Sequence, residues 1–233
     1  MIYVISDIHN KYDAFMKLLE KVEFSADDIL IINGDAIDRS GHAARIIKFI
    51  LEHKEQIRFV LGNHEKLFVD AYETGELFTP MVKQTKKGFF GRTSEVKRHE
   101  NEKVDQWFYV GGMQTFDSMI RYRLNTGQDI LNDFYNYLKE QPNHLVIDEN
   151  LFVHAGPSIY NMPSTKEQLV TWVKAQSTND LVWDREFYER AILKGQVKDI
   201  PMNIFIGHTS VVKSKSHRIY GIKKAYRRDY KNG

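Results

Sequence analysis

The chain has 233 residues, enough for one large domain with a substantial core. Its 42% hydrophobic and 27% charged residues are typical of a soluble globular protein, and a net charge of +2 is too small to indicate nucleic-acid binding by itself. The absence of cysteine excludes disulfides, thiolate metal ligands and cysteine nucleophiles. No apolar run approaches the ~20 residues of a transmembrane helix, and the N-terminus lacks the pattern of a signal peptide, so we expect a cytoplasmic protein without membrane contact.

The first third of the chain repeats one pattern three times: an apolar strand, a polar cluster, and a helix with apolar residues at helical spacing. The strands are predicted at 2–5, 29–32 and 57–61. Strands that alternate with helices in this way indicate βαβ units, and continuous apolar strands indicate a sheet covered on both faces. The predicted fold class is α/β, with a central mixed sheet or pair of sheets flanked by helices.

Residues from about 79 to 127 break this rhythm, because they are rich in Lys and Arg and contain few aliphatic residues. We interpret them as a small cap or insertion within a single domain that spans 1–233. Beyond them, the periodicity predicts helices at 128–140, 164–176 and 184–194, and strands at 144–147, 151–153 and 203–206.

Residue types that bind metals follow five predicted strands directly, namely Asp7 with His9, Asp35, Asn63 with His64, His154, and His208. Sites in open α/β sheets form outside the carboxyl ends of strands, so we expect all five clusters on one rim. Carboxylate, imidazole and amide ligands without thiolate suit manganese, iron(II) or zinc. Any one of these residues could instead belong to a turn or a helix cap, as Asp35 and Asp38 could. Five clusters in order, each after an apolar strand, favour a metal site.

Five motifs lie in this order along the chain: Asp7-x-His9, Gly34-Asp35-x-x-Asp38-Arg39, Gly62-Asn63-His64-Glu65, His154-Ala155-Gly156 and Gly207-His208-Thr209. Together they resemble the serine/threonine phosphoprotein phosphatase branch of the calcineurin-like metallophosphoesterases. Within that branch the chain is most similar to short bacterial and phage phosphatases and to symmetrical diadenosine tetraphosphate hydrolase. Glu65, directly after His64, favours this branch over the wider superfamily.

The resemblance implies a role for each matching residue. Two divalent ions, most often manganese, are held by Asp7, His9 and Asp35 on one side and by Asp35, Asn63, His154 and His208 on the other, with Asp35 bridging. His64 donates a proton to the leaving oxygen and is oriented by Asp38. Arg39 binds the phosphate, and Arg185, in the segment Trp183-Asp184-Arg185, is a candidate for a second phosphate contact.

The chain also departs from the pattern of this branch. Asn10 stands where the family usually has Gly, and Ser40 stands where Gly usually follows the arginine. The closing Asp-Thr-Gly turn of the family is missing after Thr209. Another segment, Gly111-Gly112-x-x-Thr115-x-x-Ser118, matches the family in the predicted cap.

The resemblance implies a metal-dependent phosphoesterase that hydrolyses phosphate monoesters with an activated water, and a serine/threonine or dual-specificity protein phosphatase is our first interpretation. The alternatives are a dinucleoside polyphosphate hydrolase, an RNA or nucleotide phosphatase, and a binding scaffold without activity. The expected partner is a phosphorylated protein or a small phosphoester. Nucleic acid is not favoured, because the basic residues at 83–103 and in the Tyr-containing tail at 213–231 are more simply solvated surface.

Overall fold

The computed structural model describes residues 1–87, 93–196 and 200–210. Two three-stranded sheets form its centre. The first contains β1 (Ile2–Ile5), β2 (Ile29–Asn33) and β3 (Ile57–Val60), which are parallel and in that order. The second contains β6 (His144–Ile147), β7 (Asn150–Val153) and β8 (Asn203–Phe205), with β6 antiparallel and β8 parallel to β7.

The two sheets pack against each other through a small apolar cluster. Ile31 and Val60 of the first sheet meet Phe152 of the second, and all three are buried. The Asn33 amide also donates to the carbonyls of Val153 and Phe205, at 3.2 and 3.1 Å. The predicted pair of central sheets is confirmed, and both place the carboxyl ends of strands near one edge.

Helices cover the outer faces. The large core beside the first sheet is built from α1 (Tyr12–Lys21), α2 (Ala43–Glu52), α3 (Asn63–Glu73), α4 (Glu102–Trp107), α5 (Met113–Thr126) and α6 (Ile130–Lys139). A smaller core beside the second sheet is built from α7 (Lys166–Lys174) and α8 (Thr178–Trp183), and a π-helical segment, Phe187–Leu193, follows α8. The mixed α/β fold with flanking helices agrees with the sequence prediction.

The segment at 79–127 has two parts. β4 (Val82–Lys87) and β5 (Thr93–Arg98) form a separate antiparallel ribbon. α4 and α5, joined by a π-helical turn at Phe108–Gly112, place Val104, Trp107 and Met119 in the large core. The helical part therefore belongs to the packed body beside the first sheet. The assignment of 1–233 to one domain stays a prediction.

Two sequence predictions extend outside the described residues: the basic region at 83–103 does so in part, and the basic tail at 213–231 does so wholly. The helix expected at 164–176 is Lys166–Lys174, and the one expected at 184–194 is the π-helical Phe187–Leu193. The last strand ends at Phe205, one residue earlier than predicted. Among the described residues, no helix combines the length and apolar character that crossing a bilayer requires.

Candidate metal centre

The loops that follow the three parallel strands are joined by their backbones. The amide of Asp7 donates to the carbonyl of Gly34 at 3.1 Å, and that of His9 donates to the carbonyl of Asp35 at 3.0 Å. Gly34 has a φ of +82°, and a Cβ at this position would collide with the ring of His154. Only glycine allows the loop after β2 to lie this close to the end of β7.

Asp35 lies at the centre of two groups of ligand atoms. Its carboxylate forms one group with the imidazoles of His9 and His64 and a second group with those of His154 and His208. Within each group, the potential ligand atoms lie within 4.8 Å of one another. One carboxylate oxygen is 3.7 Å from His9 Nε2, and the other is 3.2 Å from His154 Nε2. A buried carboxylate with its two oxygens turned to different ligand groups has the arrangement needed to bridge two ions.

Asp7 and Asn63 complete the set of six predicted ligands. Asp7 Oδ1 is 3.9 Å from His9 Nε2, and Asp7 Oδ2 accepts from the amide of His208 at 3.1 Å. Asn63 Oδ1 lies 3.2 Å from His154 Nε2 and 2.9 Å from His208 Nδ1. The structure therefore brings all six residues together, although their role as metal ligands stays a prediction.

The donor set fits divalent cations. His9 Nε2 is buried and has no hydrogen-bond partner within the described parts of the chain, while Nδ1 of the same ring lies 2.9 Å from the carbonyl of Ile37. A ring held through one nitrogen, with the other directed toward the carboxylates of Asp7 and Asp35, is the usual arrangement of a metal-binding histidine. Oxygen and imidazole donors without sulfur suit manganese, iron(II) or zinc.

The imidazoles around Asp35 differ in charge, while the Asp35 carboxylate itself is ionised. Burial acts to raise the pKa of Asp35, but the adjacent imidazole of His154 outweighs it and holds the pKa well below its usual range. Burial acts to lower the pKa of His154, and the Asp35 carboxylate reverses this and raises it to about 9. Burial and the neighbouring His154 lower the pKa of His208 to about 4. These neighbours thus keep the Asp35 carboxylate ionised although it is almost wholly removed from water.

A second constellation lies beside the cluster. His64 Nδ1 is 2.7 Å from Asp38 Oδ2, and Trp107 Nε1 donates to the same oxygen at 3.1 Å. Arg39, whose side chain is exposed, places Nη2 at 3.0 Å from His64 Nε2. Burial acts to lower the pKa of His64, but the hydrogen bond to Asp38 outweighs it and raises the pKa. Asp38 therefore fixes the orientation of the imidazole and favours a proton on it.

Arg185 meets the cluster at a different point. Its exposed side chain donates from Nε to His208 Nε2 at 3.4 Å, and the ring of Trp183 lies edge-on to His208 with 6.1 Å between centroids. The structure thus places Arg39 against His64 and Arg185 against His208.

Comparison with known proteins agrees with this geometry. The calcineurin-like phosphoesterase family profile matches residues 1–230, nearly the whole chain. The chain belongs to the calcineurin-like phosphoesterase family. In this member of the family, the carboxylate, imidazole and amide atoms around Asp35 form a site suited to divalent metal ions.

Individual relatives match shorter stretches. A zinc-dependent endopolyphosphatase of Saccharomyces cerevisiae is 32% identical over 96 residues, which cover 36% of this chain and 29% of the relative. A symmetrical bis(5'-nucleosyl)-tetraphosphatase of Buchnera aphidicola is 30% identical over 106 residues, which cover 45% of this chain and 35% of the relative. The matches thus span about a third of the length of these curated relatives. A solved structure provisionally assigned as a diadenosine tetraphosphatase shares the fold, with a TM-score of 0.52 and 13% identity over 90% of this chain and 75% of its own.

Sequence reasoning missed the structural role of Glu65. Glu65 served only to mark the branch, yet its buried carboxylate accepts from the amides of Asp35 and Ala36 at 2.8 Å and of Gly62 at 3.1 Å. It therefore ties the loop after β2 to the start of α3. The signal was present in the sequence, because an acidic residue three positions after a helix N-cap often accepts from the N-cap amide.

Gly111 and Thr115, in the segment that matches the family, also support the site. The hydroxyl oxygen of Thr115 accepts from the amide of Asp38 at 3.0 Å, and the carbonyl of Gly111 accepts from the amide of Arg39 at 3.2 Å. A sequence match marked this segment, but its contact with the loop after β2 appears only in the folded chain.

Proposed function

We propose that this phosphoesterase hydrolyses phosphate monoesters, with a phosphorylated serine or threonine side chain of a protein as its first candidate substrate. The observation that carries this proposal is the contact between Arg39 Nη2 and His64 Nε2 at 3.0 Å, directly beside the Asp35 cluster. An exposed guanidinium next to a buried imidazole offers a phosphate-binding group and a proton donor at one place.

Two divalent cations held by the six ligand residues would supply an activated water as nucleophile and neutralise charge on the phosphate. We assign Asp7, His9 and Asp35 to one ion, and Asp35 with Asn63, His154 and His208 to the other. Manganese is our first expectation, with iron(II) or zinc as alternatives. The name of the yeast relative makes zinc the first alternative to test.

The protein groups then have distinct tasks. A guanidinium can only donate, so the 3.0 Å contact between Arg39 Nη2 and His64 Nε2 assigns the acceptor role to Nε2 and the ring proton to Nδ1, which faces Asp38. When a phosphate oxygen accepts the Arg39 hydrogen bond instead, Nε2 is free to take up a proton from solvent, and the imidazolium can donate that proton to the leaving oxygen. Arg185, on the His208 side, would contact the phosphate from another direction.

The second candidate substrate is a dinucleoside polyphosphate. The similarity to the Buchnera tetraphosphatase favours it, since that match reaches 30% identity over 45% of this chain. The same groups would act there on a phosphoanhydride. An RNA or nucleotide phosphatase, a scaffold without activity and the cytoplasmic location remain predictions from the sequence.

A substrate panel tests the proposal. Metal-free protein is reloaded with manganese, zinc or iron(II) and assayed on p-nitrophenyl phosphate, phosphoserine and phosphothreonine peptides, diadenosine tetraphosphate and 5'-phosphorylated RNA. We expect turnover that disappears with chelator and returns with metal, with the highest kcat/KM on a phosphopeptide. Asp35→Ala should lower the metal content measured by elemental analysis.

The outcomes separate the alternatives. A preference for diadenosine tetraphosphate would replace the first substrate by the second. Full metal content with no turnover on any substrate would support the scaffold. Turnover that persists when elemental analysis finds no metal would contradict the proposal.

A further inference from the structure

Asn10 and Ser40, the two positions at which the resemblance predicts glycine, lie against each other. Asn10 follows His9 in the loop after β1, and Ser40 follows Arg39 in the loop after β2. The side-chain amide of Asn10 donates to the carbonyl of Ser40 at 2.8 Å, and the hydroxyl of Ser40 donates to the carbonyl of His9 at 2.9 Å. Each replacement thus binds the backbone of the other loop.

Thr115 joins this contact from α5. Its hydroxyl oxygen accepts from Asn10 Nδ2 at 2.9 Å and from the amide of Asp38 at 3.0 Å. Asn10 and Thr115 are fully buried. The carbonyl of Ser40 can only accept, which sets the orientation of the Asn10 amide. We call Asn10, Ser40 and Thr115 the loop clip.

The loop clip brackets two residues in an unfavourable backbone conformation. Asp38 and Arg39 have φ values of +75° and +69°, in the left-handed region that side chains other than glycine seldom adopt. The clip holds the amide of Asp38 on one side and the carbonyl of Ser40 on the other. Such conformations persist only where surrounding contacts hold them, and here the clip acts together with the Gly111 carbonyl, which accepts from the amide of Arg39.

We propose that Asn10 and Ser40 are positioning residues that act through Arg39, holding its backbone so that the guanidinium meets the phosphate next to His64. The inference rests on the proposed function, since it assigns Arg39 to the phosphate. Glycine at these two positions would leave the loop after β2 with greater freedom, whereas the side chains of Asn10 and Ser40 restrict it through three hydrogen bonds.

Variants that restore the family residue test this role. Glycine accommodates the +58° φ of Asn10, so Asn10→Gly removes the amide without blocking the fold. We expect Asn10→Gly and Ser40→Gly each to lower kcat/KM for a phosphate monoester by ~5–20-fold, with metal content unchanged. The double variant should lose little more than either single one, because each bond depends on the same contact between the loops.

The decisive comparison uses an Arg39→Ala background. If the clip acts through Arg39, adding Asn10→Gly to Arg39→Ala causes no further loss of kcat/KM. A further loss equal to that in the wild-type background would overturn the proposal, since it would mean that Asn10 stabilises the fold or the His9 loop independently of Arg39.

Two readouts do not depend on turnover. Binding of inorganic phosphate to the manganese-loaded protein, measured by calorimetry, should weaken ~5–20-fold in Asn10→Gly. Hydrogen exchange of the metal-free protein should quicken at residues 36–42 in each single variant. Unchanged phosphate affinity together with unchanged exchange would overturn the proposal. Wild-type protein that turns over no phosphoester would refute the proposed function, whereas these two readouts would still decide the role of the clip.

Ser118→Ala is the matched control. Ser118 lies one turn after Thr115 on α5, and its hydroxyl oxygen accepts from the amide of Ala44 at 3.1 Å, at the start of α2. We expect it to lower the melting temperature while phosphate affinity and kcat/KM stay at wild-type values. An equal loss of phosphate affinity in Ser118→Ala would show a general effect of α5 and contradict a specific role of the clip.

Discussion

The two sides of the site differ in how their side chains are held. We call the loops at 7–10, 34–40 and 62–65 the first rim, and His154, Arg185 and His208 the second rim. In the first rim, buried groups from distant elements fix single atoms, as Trp107 fixes the Asp38 carboxylate and Glu65 fixes the amides of the loop after β2. In the second rim, Arg185 is exposed and its contact with His208 is long, at 3.4 Å.

This difference indicates where exact position matters most. A general acid and its phosphate contact act over short distances, and small displacements reduce their effect strongly. The first rim has the fixed geometry that such chemistry needs. In the second rim, His154 is also buried and held, with Nδ1 2.8 Å from the carbonyl of Asn33, so the difference between the rims lies in the exposed Arg185.

The largest effect is expected at His64. We predict that His64→Asn keeps the metal content and the fold but lowers kcat by ~10²–10⁴, because general acid catalysis is lost. The loss should be smaller on p-nitrophenyl phosphate, whose leaving group needs little protonation. Steady-state kinetics on this ester and on a phosphopeptide measure the difference. An equal loss on both substrates would leave His64 with a positioning role only.

Glu65→Gln tests how strongly the first rim depends on its buried carboxylate. Both oxygens of Glu65 accept from backbone amides, so the NH₂ of glutamine would face N–H donors on one side. We expect the free energy of unfolding to fall by ~1–3 kcal/mol in chelator, measured by denaturant titration. Glu73→Gln, on the same helix, is the control and should change it by less than ~0.5 kcal/mol. Equal effects in the two variants would contradict the special role of Glu65.

The two arginines give the most direct comparison of the rims. Arg39→Lys should keep metal and lower kcat/KM for a monoester by at least ~10-fold, or ~1.4 kcal/mol, since an ammonium lacks the bidentate geometry of guanidinium. Arg185→Lys should also lower kcat/KM ~10-fold if it binds the phosphate, and both losses should shrink on a diester. Wild-type kinetics for Arg185→Lys would leave phosphate binding to the first rim alone.

Trp107→Phe should have the smallest effect. It keeps an aromatic ring in the core but removes the N–H that donates to the Asp38 carboxylate at 3.1 Å. We expect kcat to fall ~2–10-fold, the worth of one hydrogen bond, with KM nearly unchanged. Trp172→Phe on α7 controls for the loss of indole elsewhere. An unchanged kcat would show that His64 alone holds Asp38 in place.

The sequence predicted the parts of the molecule that depend on local pattern. The three βα units were predictable because their strands are continuously apolar and polar residues follow each one directly. For the same reason, the residues that meet around Asp35 could be named in advance. The ends of the later elements in the structure differ from the predicted ends by one to a few residues, as for β8 and the π-helical segment at Phe187–Leu193.

The supporting contacts could not be predicted in the same way. Trp107 and Thr115 lie about 70 residues from Asp38 along the chain, and no periodicity connects them. The core role of α4 and α5 was hidden because their buried residues are few and the positive φ of Gly111 interrupts the helical pattern. Pairings of this kind depend on the packing of whole elements, which a single sequence does not record.

The left-handed backbone of the site has a consequence for protein engineering. Six of the proposed catalytic and ligand residues, Asp7, His9, Asp35, Asp38, Arg39 and His208, have φ values between +46° and +75°. Each such conformation costs ~1–3 kcal/mol, so a selection for heat resistance alone would favour glycine or altered loops at these positions. A thermostable variant obtained in that way would have a higher melting temperature but a lower kcat. Mutant libraries intended to raise the melting temperature should therefore keep these six positions constant and draw their diversity from remote turns such as Glu23 and Asp148, where similar φ values serve no ligand.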